Sequence, residues 1–242
     1  MYREFLPHPD LRLYIDAYWV YKSQDNRVVT HRIFPDGCID IIVNIGDDFI
    51  TDNGRFIMKS ERAYLVGTMT KYKDTIQQPG SHLLGIRFKP LGFSAFYQYA
   101  SLHEVTENTV EFEQNFLPEV RSGDHNIFGK LDAHFYSRLC VRTQRLSHAV
   151  NDIEHLKGLI SVENLAQRHS VTSRQLERQF KQHLGISPKE YANFVRYQHA
   201  AQLIKSGSHQ NLLDIALEAG YYDHAHMTNE IKKYSGLPPS VL

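Results

Sequence analysis

Cysteine is almost absent. Cys38 and Cys140 are the only two in 242 residues, which excludes a disulfide framework and a four-cysteine zinc site. Net charge is absent too: 27 Lys and Arg balance 27 Asp and Glu, so bulk composition announces no nucleic-acid partner. No window approaches ~18 uninterrupted apolar residues, and the opening "MYREFLPHPDLRLYIDAYWV" lacks an apolar signal core. The expectation is a soluble, cytoplasmic protein without membrane contact. An apolar content of 42% is ordinary for globular chains, and the length allows one large domain or two ordinary ones.

Two rhythms divide the chain. From residue 18 to about 88, short runs rich in β-branched and aromatic types stand between turn signals. They include "YWVYK", "HRIFP", "CIDIIVNI", "AYLVG" and "LLGIRF", and they predict an antiparallel sandwich or barrel. Asp36 and Gly37 suit a tight reversal between "HRIF" and "CIDIIVNI". From about Leu91 the pattern turns helical, in "GFSAFYQYA" and then in "HNIFGKLDAHFYSRLCVRTQRLSHAV". In the latter, Phe128, Leu131, Phe135, Leu139 and Leu146 fall on or near one stripe, read as core or as a dimer contact. The pattern breaks near residues 151–158. The fold class is therefore α+β, with a β-rich domain and helical tail over 1–150 and an all-α domain over 151–242.

The helical domain contains a repeat. "NLAQRHSVTSRQLERQFKQHLGISP" (164–188) aligns with "DIALEAGYYDHAHMTNEIKKYSGLPP" (214–239). Ala166 matches Ala216 at an offset of 50; Leu176 and Met227, Phe180 and Ile231, Gly185 and Gly236 match at 51, the extra residue falling in the turn. Each copy predicts two short helices, a helix-turn-helix unit. Ser161, Thr172 and Asp223 are candidate N-caps, Gly185 a C-cap, and Gly220 a sharp turn. Leu176, Phe180, Met227 and Ile231 are expected inward, with Arg174, Glu177, Arg178, Lys181, His224, Thr228, Asn229 and Lys232 outward. His224 and His226 would chelate one metal from a strand. On a helix, two residues apart is about 200°, so His226 is expected toward the scaffold, and no metal or other cofactor is expected anywhere.

"IALEAGYYDHAHMTNEIKKYSGLPP" and its repeat resemble the C-terminal DNA-binding domain of AraC/XylS-type bacterial transcription regulators, over about residues 153–242. The resemblance implies that each unit's second helix enters the major groove of operator DNA. "PKEYANFVRYQHAAQLIKSG" (188–207) fits the helix joining the units; twenty residues span about 30 Å, near one turn of B-DNA. By position, base-reading residues would be Arg174, Glu177 and Arg178 in the first unit, and His224, Ala225, Thr228 and Asn229 in the second. Arginine can fork onto guanine, glutamate accept from cytosine and asparagine pair with adenine. Lys181, Lys232 and Lys233 would contact phosphates. Two departures stand out: Ile231 takes a place where phenylalanine is commoner, and from residue 151 only ten Lys and Arg face nine Asp and Glu.

"HRIFPDGCIDIIVNIGDDF", "YLVGTMT" and "LLGIRFKPLGFSAF" resemble a poorly characterised, cupin-like sensor domain found ahead of such readers, over about residues 2–120. Candidate effector-pocket residues are Trp19, Arg32, Asp36, Cys38, Asp40 and Arg87, each with a turn or core role as the alternative. The resemblance implies effector control or homodimerisation through this domain, with RNA polymerase as a further partner. The competing expectation is a cupin-type enzyme processing a small molecule. Before residue 100, however, no His-x-His pair with a glutamate is placed as a metal cupin requires.

Overall fold

The computed structural model describes every residue except 25–26, 114–116, 120–123, 125, 141–143 and 208–210. Its N-terminal part is built of ten strands: β1 (Tyr2–Phe5), β2 (Ile15–Lys22), β3 (Val29–Ile33), β4 (Ile39–Asn44), β5 (Phe49–Thr51), β6 (Phe56–Met58), β7 (Arg62–Val66), β8 (Lys73–Gln77), β9 (His82–Phe88) and β10 (Thr109–Phe112). They form two antiparallel sheets, ordered β1-β2-β9-β4-β7-β10 and β3-β8-β5-β6. The near-continuous apolar run of β4 follows from its place between β9 and β7, where both faces are covered. Ile39, Ile41 and Val43 point to one side, into a core completed by Phe88, Phe93 and Phe135. Ile42 points to the other, toward Phe49, Met58 and Leu83, as the two-residue period of a strand requires.

The expected hairpin at Asp36 and Gly37 does not form. β3 pairs with β8 in the small sheet, so this turn carries the chain from one sheet to the other. "GFSAFYQYA" yields one turn of 3-10 helix, Phe93–Ala95, entered through Leu91 with φ of 68°. Strand β10 lies beyond it, inside the stretch expected to be helical.

The helical stretch expected over 125–150 holds two helices, α1 (Ile127–Arg138) and α2 (Gln144–His155). The chain leaves helical geometry at Leu139, with ψ of 116°, and the amide of Cys140 donates to the carbonyl of Ala95 at 2.8 Å. The expected stripe is thereby divided. Leu131 and Phe135 join the β-domain core, whereas Leu146, Ala149, Val150 and Ile153 join the helical core. A division at residue 150 falls within α2.

The repeat is realised as α3 (Val162–Arg168) with α4 (Ser173–Leu184), and α6 (Leu212–Glu218) with α7 (His224–Ser235). Starts of the first helices are 50 residues apart and starts of the second 51, as aligned. Between the units runs α5 (Pro188–Ser206). The caps explain the boundaries. Ser161 accepts from the amide of Asn164 and Asp223 from that of His226. Thr172 with Gln175, and Ser187 with Glu190, form capping boxes, while Gly185, Gly207 and Gly236 close their helices in the left-handed region. α5 buries Tyr191, Phe194, Val195, Tyr197 and Ala200. These lie around most of its circumference in the first half of the helix, whereas Gln198, Gln202 and Lys205 leave one stripe exposed in the second half. Among the described residues, no helix is long and apolar enough to cross a membrane.

Phe180 is 0% exposed and fills the centre of the first unit. Phe180→Ala is expected to cost about 3–5 kcal/mol in urea unfolding, and Thr172→Ala about 1 kcal/mol through its lost cap. A Phe180→Ala loss below about 1 kcal/mol would contradict this packing.

Candidate nucleic-acid interface and ligand cavity

In both units the second helix turns its apolar residues inward: Leu176, Phe180 and Leu184 in α4, Met227, Ile231 and Tyr234 in α7. The opposite faces are polar. Arg174, Glu177 and Arg178 are exposed on α4; His224, Ala225, Asn229, Lys232 and Lys233 are exposed on α7, with Thr228 half-buried. Lys181 is half-buried. His226 departs from expectation: it is exposed, its ring edge-on to Tyr221 at 5.3 Å. It sits in the first turn of α7, ahead of Met227, where the helix has not yet reached the core. Among the described residues no group of three His, Cys, Asp or Glu is disposed to hold a metal.

The first of these helices, α4, is held at its far end by the β domain. A helix leaves its last carbonyls without internal partners, and here another domain supplies them. Thr68 donates its hydroxyl to the Leu184 carbonyl at 2.6 Å. Thr106 Oγ1 and His103 Nδ1 each donate to the Gly185 carbonyl at 2.7 Å. His183 meets Ser94 at 3.1 Å, in surroundings that lower its pKa by burial. Beside this contact, Ala100, Ser101 and His103 form one wall of a cleft of about 760 Å³, with Arg174, Glu177, Arg178 and Lys181 on the other.

The second reader ends against the same domain. A Cβ on Gly236 would lie 2.5 Å from the Tyr72 ring and 2.8 Å from Arg32 Nη1. With φ of 71° as well, this position admits no side chain without displacement. Arg32 stacks 4.1 Å from the centroid of Tyr72 and bonds Asp74 at 2.9 and 3.2 Å. Phe194 of α5 packs on Gly37.

Between the two sheets lies a cavity of about 710 Å³, within the range of small-molecule sites. Trp19, Arg32, Asp36, Asp40 and Arg87 all line it, so five of the six residues singled out in sequence meet at one place. Cys38 is outside the lining; burial, with Asp36 and Asp40 nearby, pushes its thiol pKa up, away from a reactive thiolate. Trp19 opposes Gly85 on β9 and lies flat across it, a Cβ there falling 1.9 Å from the indole. The indole Nε1 donates to Asp40 Oδ1 at 2.7 Å. Arg87 reaches Glu4 at 2.5 Å, Tyr2 at 2.7 Å and Asp16 at 3.4 Å. Burial, then the neighbouring Asp36 charge, raises Asp40 to about 7, against the opposing pull of the indole bond; Asp36 is likewise raised by burial.

Sequence reasoning did not pick out Tyr2, Glu4, Lys73 or Asp52 in this lining, nor the three side chains that cap α4. For Tyr21 and Ile42 a signal existed, since each stands two residues from a lining residue on the same strand. For Thr68 and His103 there was none, because neither belongs to any periodic pattern.

Residues 3–111 match a family described only as a domain of unknown function (DUF6597), and residues 165–242 match the helix-turn-helix domain family. An uncharacterized HTH-type transcriptional regulator of Haemophilus influenzae is 42% identical over 79 residues, 33% of this chain and 26% of that protein. The transcriptional activator RhaS of Escherichia fergusonii is 32% identical over 96 residues, 39% of this chain and 34% of that protein. The chain therefore spans about a quarter to a third of these relatives. A transcriptional regulator described as containing an AraC-type DNA-binding domain, from Chromobacterium violaceum, aligns at 29% identity over 41% of this chain and 88% of its own, with a TM-score of 0.39.

The raised pKa of Asp40 yields a stability prediction. Folded Asp40 keeps its proton to about pH 7, whereas unfolded aspartate releases it near ~3.9. Between those values the folded state binds the extra proton, so stability falls as pH rises, and the loss is complete above about 7. Asp40→Asn removes it. The variant should gain stability relative to the native protein between about pH 5 and pH 8 in urea unfolding. A difference that does not change with pH would contradict the assignment.

Proposed function

We propose that this chain, whose C-terminal domain belongs to the AraC-type helix-turn-helix family, is a sequence-specific DNA-binding transcription regulator under the control of a small molecule held in its β domain. The observation that carries the reading is the repeat made solid: two capped reader helices, α4 and α7, joined by the 19-residue α5. At 1.5 Å per residue α5 is about 28 Å long, close to the ~34 Å between successive major grooves on one side of a duplex.

In this reading Arg174, Glu177 and Arg178 address bases in one groove, and His224, Ala225, Thr228 and Asn229 address the next. Lys181, Lys232 and Lys233 contact phosphates. With near-balanced charge over the helical domain, affinity rests on these few local cations. The β domain adds control because it touches both readers. Arg32 lines the cavity and also abuts the cap of α7; Asp36 lines it next to Gly37, on which α5 rests. A ligand that binds one arrangement of these groups better than another shifts the readers with it. The division between domains is best drawn between α1 and α2, since α2 belongs to the helical core.

Selection from a random duplex library should return a two-part motif with half-site centres about 10 bp apart. Arg178→Ala should then lower affinity for that motif by ~1–3 kcal/mol and relax one position, while Lys232→Ala should weaken all sequences alike and reduce the salt slope by about 1. A selection that enriches no motif would refute the reading.

A further inference from the structure

The charges around the inter-sheet cavity are unevenly matched. Its cations are already engaged: Arg32 by Asp74, Lys73 by Asp52 at 2.7 Å, and Arg87 by Glu4 and Asp16. Two carboxylates remain. Asp36 accepts from the amide of Cys38 at 2.9 Å and has, as its cation, only the edge of Arg87 at 3.8 Å, while Asp40 has no cation within ion-pair distance among the described residues. Trp19 is the sole hydrogen-bond donor to Asp40 among those residues, which leaves its second carboxylate oxygen unmatched toward the cavity. Asp40 is half-buried in the cavity wall, and a charge without a counter-charge in such a place is costly. Opposite this acidic end, Ile42, Phe49, Met58 and Leu83 give the cavity an apolar floor, and the Trp19 and Tyr2 rings meet at 5.8 Å beside the carboxylates.

We propose that this cavity takes an amphipathic organic cation, its ammonium set against Asp36 and Asp40 beside the Trp19 face, its hydrocarbon body on the apolar floor. The inference rests on the reading of the cavity as the control site. A carboxylate or phosphate ligand would instead meet two acids with little cationic charge of their own and three cations that already have partners. An ammonium gains a carboxylate and an aromatic face together, the pairing proteins use for such groups. It also supplies the charge that Asp40 lacks, so binding strengthens as Asp40 ionises with rising pH.

The test uses the full-length protein and two matched series of probes: phenethylamine, tyramine and hexylamine, and the carboxylates 3-phenylpropanoate, 3-(4-hydroxyphenyl)propanoate and heptanoate. Melting temperature and calorimetric binding are read for each. At least one ammonium should raise the melting temperature, with affinity weakened on the order of tenfold or more in Asp40→Asn, and weakened in the native protein as pH falls below about 7. Asp36→Asn should weaken it similarly, so that the result does not depend on one variant folding well. Stabilisation by a carboxylate overturns the charge assignment while leaving a ligand-binding cavity in place. Absence of any response to the ammonium series overturns the proposal outright. Neither outcome touches the DNA reading, which the duplex selection decides separately.

Discussion

Nineteen residues of unbroken helix between two helix-turn-helix units are the constraint on which the rest of this molecule depends. α5 starts in a capping box at Ser187 and ends at Gly207 in the left-handed region, so its length is fixed at both ends by local chemistry. Its buried residues pack in one continuous core with α2, α4, α6 and α7. Tyr197 stacks on Tyr234 of α7 with centroids 4.6 Å apart, and Phe180 of α4 leans on Tyr191 at 6.2 Å. Each second helix is thus anchored to the connector by aromatic contact, α4 at the connector's first turn and α7 at the connector's middle. A helix held this way transmits position: moving one reader without the other would open the shared core, at the several kcal/mol typical of large aromatic side chains.

The β domain exploits the same rigidity from outside. Gly185 and Gly236 occupy equivalent places in the two repeats, and both are covered by it, the first by Thr106 and Leu102, the second by Tyr72 and Arg32. Because the capping groups of α4 belong to another domain, separating the domains would strand helix-end carbonyls as well as apolar surface. The grip on α7 passes through Arg32, whose guanidinium belongs simultaneously to the cavity wall, to an ion pair with Asp74 and to a stack on Tyr72. A change at the cavity and a change at the second reader therefore share one side chain.

Much of this was legible in the sequence because local chemistry dictated it. Thr172, Ser161, Asp223 and Gly185 cap where they do since helix ends need partners, and the offset change from 50 to 51 marks the turn. Trp19, Asp40 and Arg87 were candidates through the resemblance of the β domain, and the two-residue period turns them to one side of neighbouring strands; Asp36 joins them from the turn between β3 and β4. What could not be read depends on distant partners. β3 and β4 look like a hairpin, yet each finds better neighbours in a different sheet. The break after Arg138 needs the carbonyl of Ala95, more than forty positions away, and β10 pairs with β7 from within a stretch whose composition suggests helix. His226 was misplaced because helical phase alone ignores that the first turn of α7 stands clear of the core.

α5 holds α4 and α7 at a fixed distance, and in the proposed function one face of a duplex accepts both. This arrangement is tested most directly by measuring affinity for the selected site after inserting about 5 bp, half a helical turn, between the half-sites. Affinity should fall to the level of unrelated DNA, because α5 can neither stretch nor rotate one reader to the opposite face. Undiminished affinity for the lengthened site would contradict that arrangement.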